Sequence, residues 1–590
     1  MALIVQKYGG TSVGSAERIQ AVARRVVETV KAGNQLVVVV SAMGKTTDGL
    51  VKLAHELSSQ PSRREMDMLL VTGEQVTIAL LSIAIQELGQ PAISLTGAQA
   101  GIITEAEHTR ARILEIVPDR IERHIKEGKV VVVAGFQGVI ATEDREITTL
   151  GRGGSDTSAV ALAAALKASA CEIYTDVPGI LTTDPRIVPE AQLLTEITAD
   201  EMLELASLGA KVLHPRAVEI AKNYGVPLVV RSSWTDEPGT WVVSPVPKSR
   251  SLTGLEIARS VDAVEFSTNQ AKIALLQVPD RAGIAGQLFG ALAREHVDVD
   301  LIVQSIHEGN TNDIAFTVDK QASKRAQAVA EAISPVLHDN SIANDDRVIV
   351  ADDIAKVSIV GAGMIGRPGV AAQMFKTLAD AGINIQMIST SEIKVSCVIA
   401  AADSDRAIDA LCHQFEISTS SHENAKQITA PSVRGVALDL DRARLAILQV
   451  PDRPGMAAEL FGILAANNIS LDAIIQSQRT RIIAGVATRD IACTIAQGDA
   501  ADAKRVLEAA TTQLGCGAVI VNKSIAKVSI VGAGMISNPG VAAKMFNCLA
   551  TAGINIQMIA TSEIKISCVV AQSQGIDALK TIHQAFGLGG

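Results

Sequence analysis

The sequence predicts an α/β chain in two parts: an open, mainly parallel sheet with helices on both faces, then four small ferredoxin-like units of βαββαβ order. Three observations carry this reading. Short continuous aliphatic runs such as "LVVVV" and "KVVVVAGF" alternate with helical stretches in the N-terminal part, as parallel strands buried on both faces do. Beyond them the chain repeats itself. "IALLQVPDRAGIAGQLFGAL" from Ile273 returns as "LAILQVPDRPGMAAELFGIL" from Leu445, and "AKVSIVGAGMIG" from Ala355 returns as "AKVSIVGAGMIS" from Ala526. Such internal similarity marks a repeated supersecondary unit. Finally, 590 residues are too many for one compact domain.

The first strand is "ALIVQKY", ended by Gly9 and Gly10. Ser15 caps the next helix, with Glu17 in its first turn, where a carboxylate meets the positive end of the helix dipole. Ile19, Val22, Val26, Val27 and Val30 line one face, and Gly33 stops it. "LVVVV" follows as a second strand, so the unit is parallel and right-handed. Further strands are expected at "PAISLTG", "KVVVVAGFQG" and "CEIYTD". "RSSWTDEPGTWVVSPVPKSRS" has linker character and closes a first domain over 1–245.

Each later repeat holds two modules. A strand enters a Pro/Gly turn, a helix follows with Leu288, Phe289 and Leu292 on one face, and "VDVDLIVQS" or "INIQMIST" reads as the second strand. This gives a first pair over 246–433, with modules at about 270–345 and 346–420 and a lead-in strand at 253–268. A second pair covers 434–590, with modules at about 443–519 and 520–590 and a lead-in strand at 433–441. The exposed sheet edges of such modules favour side-by-side pairing.

The net charge of -10 argues against a nucleic-acid footprint. The aliphatic runs have strand length, far short of a bilayer span, so no membrane role is expected. Seven scattered cysteines, without C-x-x-C, read as reduced thiols of a cytoplasmic protein.

In an open parallel sheet, ligands bind beyond the carboxyl ends of the strands. "KYGGTSVGS" puts Lys7 at a strand end beside Gly9 and Gly10, where a backbone can approach a phosphate; a plain Gly turn with a solvated lysine is the alternative. "TTLGRGGSDTSAV" combines two Gly pairs, Arg152 as a carboxylate clamp and Asp156 at a helix start. Asp156 reads either as an ammonium ligand or as a cap. Glu74 is an isolated acid in an otherwise apolar helix, a solvated stripe or a substrate ligand. Thr175 and Asp176 end a strand, Asp184 and Arg186 follow in a loop, and Lys211 precedes a Pro-started helix.

Taken in order, "KYGGTSVGS", "VVVVSAMGKTTD", "TTLGRGGSDTSA", "YTDVPGI", "TTDPR" and "LGAKVLHPRA" resemble the aspartate kinases of the amino-acid-kinase family. "QVPDRAGIAGQLF" and "GAGMIGRPGVAAQMF" resemble the paired ACT domains that follow such a kinase. Two pairs, where one is common, resemble the cyanobacterial type. The resemblance implies phosphorylation of the L-aspartate side-chain carboxylate by ATP with Mg²⁺ held mainly by ATP and water, the first step toward lysine, threonine and methionine. It assigns Lys7 to the transferring phosphoryl group, and Gly9, Gly10 and Ser12 to the phosphates, with Ser41 near them. Thr47, Glu74, Arg152 and Asp156 fall to aspartate, and Thr175, Asp176, Asp184, Arg186 and Lys211 to the nucleotide. It implies lysine and/or threonine as effectors at ACT interfaces. Asp280, Ala285 and Gln304 would be completed by Asn384 and Ile385, and Asp452, Ala457 and Gln476 by Asn555 and Ile556. A homodimer through the ACT domains is implied as well.

"KVSIVGAGMIG" carries G-x-G-x-x-G at Gly361, Gly363 and Gly366, the spacing of a dinucleotide site. The second copy has Ser537 at the third position, Arg367-Pro368-Gly369 intervenes before the helix, and no acidic residue ends the next strand. No NAD is expected. Competing readings are a kinase for glutamate, acetylglutamate or UMP, and an amino-acid sensor with an inactive kinase half.

Overall fold

The structure is a computed structural model that describes every residue except 143, 209–211, 245–251, 258, 308–310, 339–346, 365–366, 368, 419, 423–430, 539 and 590. The chain divides into two compact units. The first comprises Met1–Leu181, Leu193–Ala206 and Ala210–Ala258, and the second Thr182–Gln192, Ser207–Gly209 and Arg259–Gly590.

The first unit is built on an eight-stranded sheet. Its order is Glu196–Thr198, Thr240–Val243, Leu228–Ser232, Ala170–Thr175, Leu3–Tyr8, Gln35–Val40, Val130–Ala134, Ala92–Leu95. Every neighbouring pair is parallel except Leu228–Ser232 with Thr240–Val243. Gln35–Val40 and Val130–Ala134 are buried along almost their whole length, because helices cover both faces. Ala16–Lys31 packs with Thr72–Glu87 on one side. Gly154–Ala165, buried throughout, packs with Pro215–Tyr224 and on the Leu3–Tyr8 strand. Ser15 caps the first helix as expected. The stretch Arg63–Glu87 is long and apolar enough to cross a membrane, but half of its apolar window is buried inside the protein. There Ile78, Leu81 and Ile85 join the core against the first helix.

Two expectations change. "RSSWTDEPGTWVV" is no linker; it supplies the end of the Leu228–Ser232 strand and the whole of Thr240–Val243, and Ser232 pairs with Thr175. The lead-in strand is also shorter than 253–268. Leu255 and Glu256 bond to Leu114 and Ile113 of the first unit, and the strand itself begins at Ala263. A small four-stranded sheet, absent from the sequence reading, comprises Ile113–Ile116, Ile102–Thr104, Gln137–Ile140 and Ile147–Thr149.

The second unit contains the four ferredoxin-like modules. Ala263–Pro279 and Val348–Val360 are each shared by the first two. Residues 270–275 pair with 348–354 on one side of a bulge, and 263–267 with 356–360 on the other. The first and fourth modules join edge to edge through Ile302–His307 and Met558–Ser562, giving an eleven-stranded sheet. The third has its own five-stranded sheet.

The modules follow one another in tandem, yet their helices pack crosswise. Ile284–Arg294 of the first lies on Val541–Thr551 of the fourth, with Phe289 and Phe546 ring centroids 5.4 Å apart. Val370–Asp380 of the second lies on Met456–Ala466 of the third, with Phe375 and Phe461 at 5.8 Å. Sequence neighbours are tied differently, by ion pairs of buried lysines: Lys356 with the half-buried Asp300, and the equivalent Lys527 with Asp472. Burial pulls the Lys527 ammonium down, while Lys527 and its cationic neighbours hold Asp472 well below the usual carboxylate range despite its burial.

The glycines of "KVSIVGAGMIG" now have a physical reason. A Cβ on Gly361 would lie 2.4 Å from the Ser260 carbonyl oxygen, and one on Gly363 would lie 2.7 Å from that of Arg259. Gly532 in the second copy meets Ser432 in the same way. The glycines make room for a neighbouring backbone segment. Gly366 lies outside the described residues.

Candidate active site and interdomain pockets

The chain leaves the central Leu3–Tyr8 strand for Gln35–Val40 on one side and returns through Ala170–Thr175 on the other. In α/β sheets such a reversal marks the place beyond the carboxyl ends of the strands where ligands bind. Lys7 sits there with its Nζ 2.6 Å from Asp156 Oδ1, both side chains about nine-tenths buried. Asp156 stands in the first turn of the Gly154–Ala165 helix, which begins at Gly153. Gly153 has φ 69°, and a Cβ there would fall 2.2 Å from the His214 ring, so only glycine fits. Asp156 is therefore not the cap. It is a carboxylate delivered to the Lys7 ammonium.

Three loops are stitched together beside this pair. Ser12 N–H donates to Gly9 O at 2.9 Å, Gly44 N–H to Gly10 O at 2.9 Å, and Ser41 N–H to Tyr8 O at 3.1 Å. A Cβ on Gly10 would come within 2.7 Å of Ala42 O, so this approach needs glycine. Ser12 Oγ lies 2.6 Å from Ser233 Oγ.

Glu74 enters from the Thr72–Glu87 helix and is only 3% exposed, which removes the solvated-stripe reading. Its Oε1 accepts the Ala42 N–H at 3.0 Å, and its Oε2 is buried without a partner. Burial pushes its carboxyl up to about 7. A buried acid with one free oxygen suits an ammonium ligand, which would favour the ionised form.

Thr47 is half-buried in the Thr46–Leu57 helix, and Arg152 is exposed in the turn before Gly153. Thr175 ends its strand and donates to Asp176 Oδ1 at 3.2 Å. Asp184 and Arg186 bind each other in a fork, Nε to Oδ1 at 2.9 Å and Nη2 to Oδ2 at 2.7 Å. They lie in the 182–192 segment that belongs to the second unit. Lys211 lies outside the described residues.

The sequence reading missed two supports. Ser233 follows the Leu228–Ser232 strand, whose last two residues read as linker, and its place at a strand end was the available signal. Asp67, fully buried, accepts from Thr149 Oγ1 at 2.6 Å and from the Thr109 N–H, with His108 Nδ1 at 2.8 Å. It thereby fixes the strand leading to the Arg152 turn. No spacing rule points to it.

In the second unit, the ten expected effector residues form two pockets with exchanged partners. Asp280 accepts from Asn555 Nδ2 at 2.8 Å, not from Asn384, and Gln304 Nε2 donates to Ile556 O at 2.9 Å. Ala285, Gln304, Asn555 and Ile556 line this pocket. Asp452 accepts from Asn384 Nδ2 at 3.1 Å, and Asn384, Ile385, Asp452, Ala457 and Gln476 line the other. The correction follows from the crosswise helix packing. The cavities hold about 10 and 30 Å³, room for about one water each, so an amino acid would have to open them.

Comparison with known proteins fits this geometry. Residues 2–232 match the amino acid kinase family, and residues 272–338, 357–415, 444–511 and 528–586 match ACT domain models. An aspartokinase of Bacillus sp. (strain MGA3) is 52% identical over 421 residues, 71% of this chain and 99% of that protein. Aspartokinase 2 of Bacillus subtilis (strain 168) is 51% identical over 418 residues, 71% of this chain and 98% of its own. The crystal structure of aspartate kinase from Synechocystis shares 64% identity and a TM-score of 0.88, covering 100% of this chain and 99% of that one.

Proposed function

The chain belongs to the aspartokinase family, and from that premise we propose that its first unit transfers the γ-phosphoryl group of ATP to the side-chain carboxylate of L-aspartate, giving 4-phospho-L-aspartate. The observation that carries this reading is the buried Lys7–Asp156 pair at the head of the central strand, between a glycine loop and a helix N-terminus.

The substrate carboxylate is itself the nucleophile, so the protein has no covalent step to perform. Positioning and charge stabilisation remain. Lys7 meets charge on the transferring phosphoryl group, with Asp156 fixing its ammonium. The Gly9, Gly10 and Ser12 loop and the nearby Ser41 cradle phosphates through N–H and hydroxyl donors. Glu74, with Asp156, answers the aspartate ammonium, Arg152 its α-carboxylate, and Thr47 contributes a hydroxyl. Thr175 and Asp176 contact the nucleotide. For Asp184, Arg186 and Lys211 the nucleotide role rests on the family motif alone. Mg²⁺ would arrive with ATP, held by phosphate oxygens and water.

The two interdomain pockets bind amino-acid effectors, lysine and threonine, and binding there favours a less active kinase state. The protein acts as a cytoplasmic homodimer through its ACT domains. Hydroxylamine trapping tests the activity: aspartyl hydroxamate forms with ATP and aspartate, and glutamate gives far less. Absence of the aspartyl product would overturn the reading.

A further inference from the structure

The internal repeat permits a matched comparison of the two pockets. Asp280 corresponds to Asp452, Arg281 to Arg453, Gln304 to Gln476, and Asn555 to Asn384. Lys272 and Arg444 are also equivalents, and each interacts electrostatically with the aspartate of the opposite pocket. Arg444 acts electrostatically on Asp280. Lys272 feels Asp452 and Arg489, and burial with Arg489 brings its ammonium down to about 8. These charges match one for one. The exception lies in "TNDIAFT" against "TRDIACT", where Asn312 of one pocket is Arg489 of the other.

The difference falls on the ligand-facing carboxylate. Arg489 Nε is 2.9 Å from Asp452 Oδ2, so that acid already has a cation. At the equivalent place Asn312 Nδ2 donates to Asp280 Oδ1 at 3.2 Å, a contact from an uncharged donor. Asn312 is 2% exposed and Gln304 4%, and Asn312 Oδ1 and Gln304 Oε1 are both buried without a donor. The amide nitrogens are committed to Asp280 and to Ile556 O, which leaves the oxygens as acceptors. The Asp280 pocket thus offers a carboxylate and two unfilled acceptors beside the Arg444 guanidinium, whose counterpart in the other pocket is the Lys272 ammonium. The Asp452 pocket replaces one acceptor with a guanidinium, which has only donors.

We propose that Asn312 and Arg489 make the two pockets select amino acids by side-chain charge: the Asp280 pocket takes a cationic amino acid and the Asp452 pocket a neutral one. This rests on the effector role given to the pockets above. A ligand's α-ammonium and α-carboxylate are common to both cases. A second ammonium finds acceptors at Asn312 and Gln304 but repulsion at Arg489.

Calorimetric titration of the full chain with L-lysine and, separately, L-threonine tests this. The wild type should bind one lysine per chain, lost in Asp280→Ala, and one threonine, lost in Asp452→Ala. Arg489→Asn should raise lysine affinity at the Asp452 pocket at least tenfold, giving two lysines per chain. Asn312→Arg should weaken lysine binding at least tenfold. Because Asn312 is buried and the larger side chain can disturb folding, Arg489→Gln serves as a second readout of the same rule. Unchanged lysine stoichiometry in both Arg489 variants overturns the charge rule alone. If neither Asp280→Ala nor Asp452→Ala alters binding of either amino acid, the effector role of the pockets falls instead.

Discussion

Glu74 illustrates what one buried side chain implies. Its carboxyl, pushed up to about 7 by burial, holds a proton in the folded chain that the unfolded chain releases near its ordinary value of 4.5. Folding stability from this group is therefore full below about 4.5 and declines as pH rises toward 7. Function should run the other way, because an aspartate ammonium needs the ionised form. The KM for aspartate should rise as pH falls from 8 to 6, and Glu74→Gln should bind aspartate weakly with that dependence gone; steady-state kinetics at each pH reads both. Lys7→Ala should lower kcat by about 10²–10⁴ through loss of transition-state charge stabilisation, with circular dichroism unchanged. Lys7 and its glycines were legible in the sequence as a strand end running into a Gly-Gly turn, and only the family motif set a phosphate loop apart from a plain turn with a solvated lysine. The Lys7–Asp156 contact was not, since 149 residues separate the two and only the parallel pairing of Leu3–Tyr8 with Ala170–Thr175 and the helix between brings them together.

At the scale of elements, buried continuous strands were easy to read and polar ones were not. "LVVVV", five β-branched or aliphatic residues of strand length after a Gly stop, reads as a strand covered on both faces. "RSSWTDEPGTWVV" looked like a linker because Ser, Asp, Pro and Gly dominate its local pattern, and the sheet overrode them. The modules are held by elements that likewise hide charge. Asp472→Asn should leave the Lys527 ammonium buried without its carboxylate and cost about 3–5 kcal/mol, seen as a lower urea midpoint. Adding Lys527→Met should recover most of the loss, since an absent pair is cheaper than a broken one. A double variant no more stable than Asp472→Asn would show that the pair is not the source.

For the whole molecule, repetition was visible but its packing was not. Two copies of each module can pair within a repeat or between repeats, and no residue pattern chooses between them. Phe289 on Phe546, and Phe375 on Phe461, record the choice made. A double-mutant cycle on effector binding checks it. Asn384→Ala should be non-additive with Asp452→Ala and additive with Asp280→Ala, and Asn555→Ala should show the reverse. The crosswise packing has a further result. Each pocket draws one wall from either repeat, so both are complete within a single polypeptide. On the effector role proposed for these pockets, sensing belongs to the lone chain, and effector affinity should be the same at nanomolar and micromolar protein. Dilution, which dismantles a pocket shared between subunits, would leave this one intact.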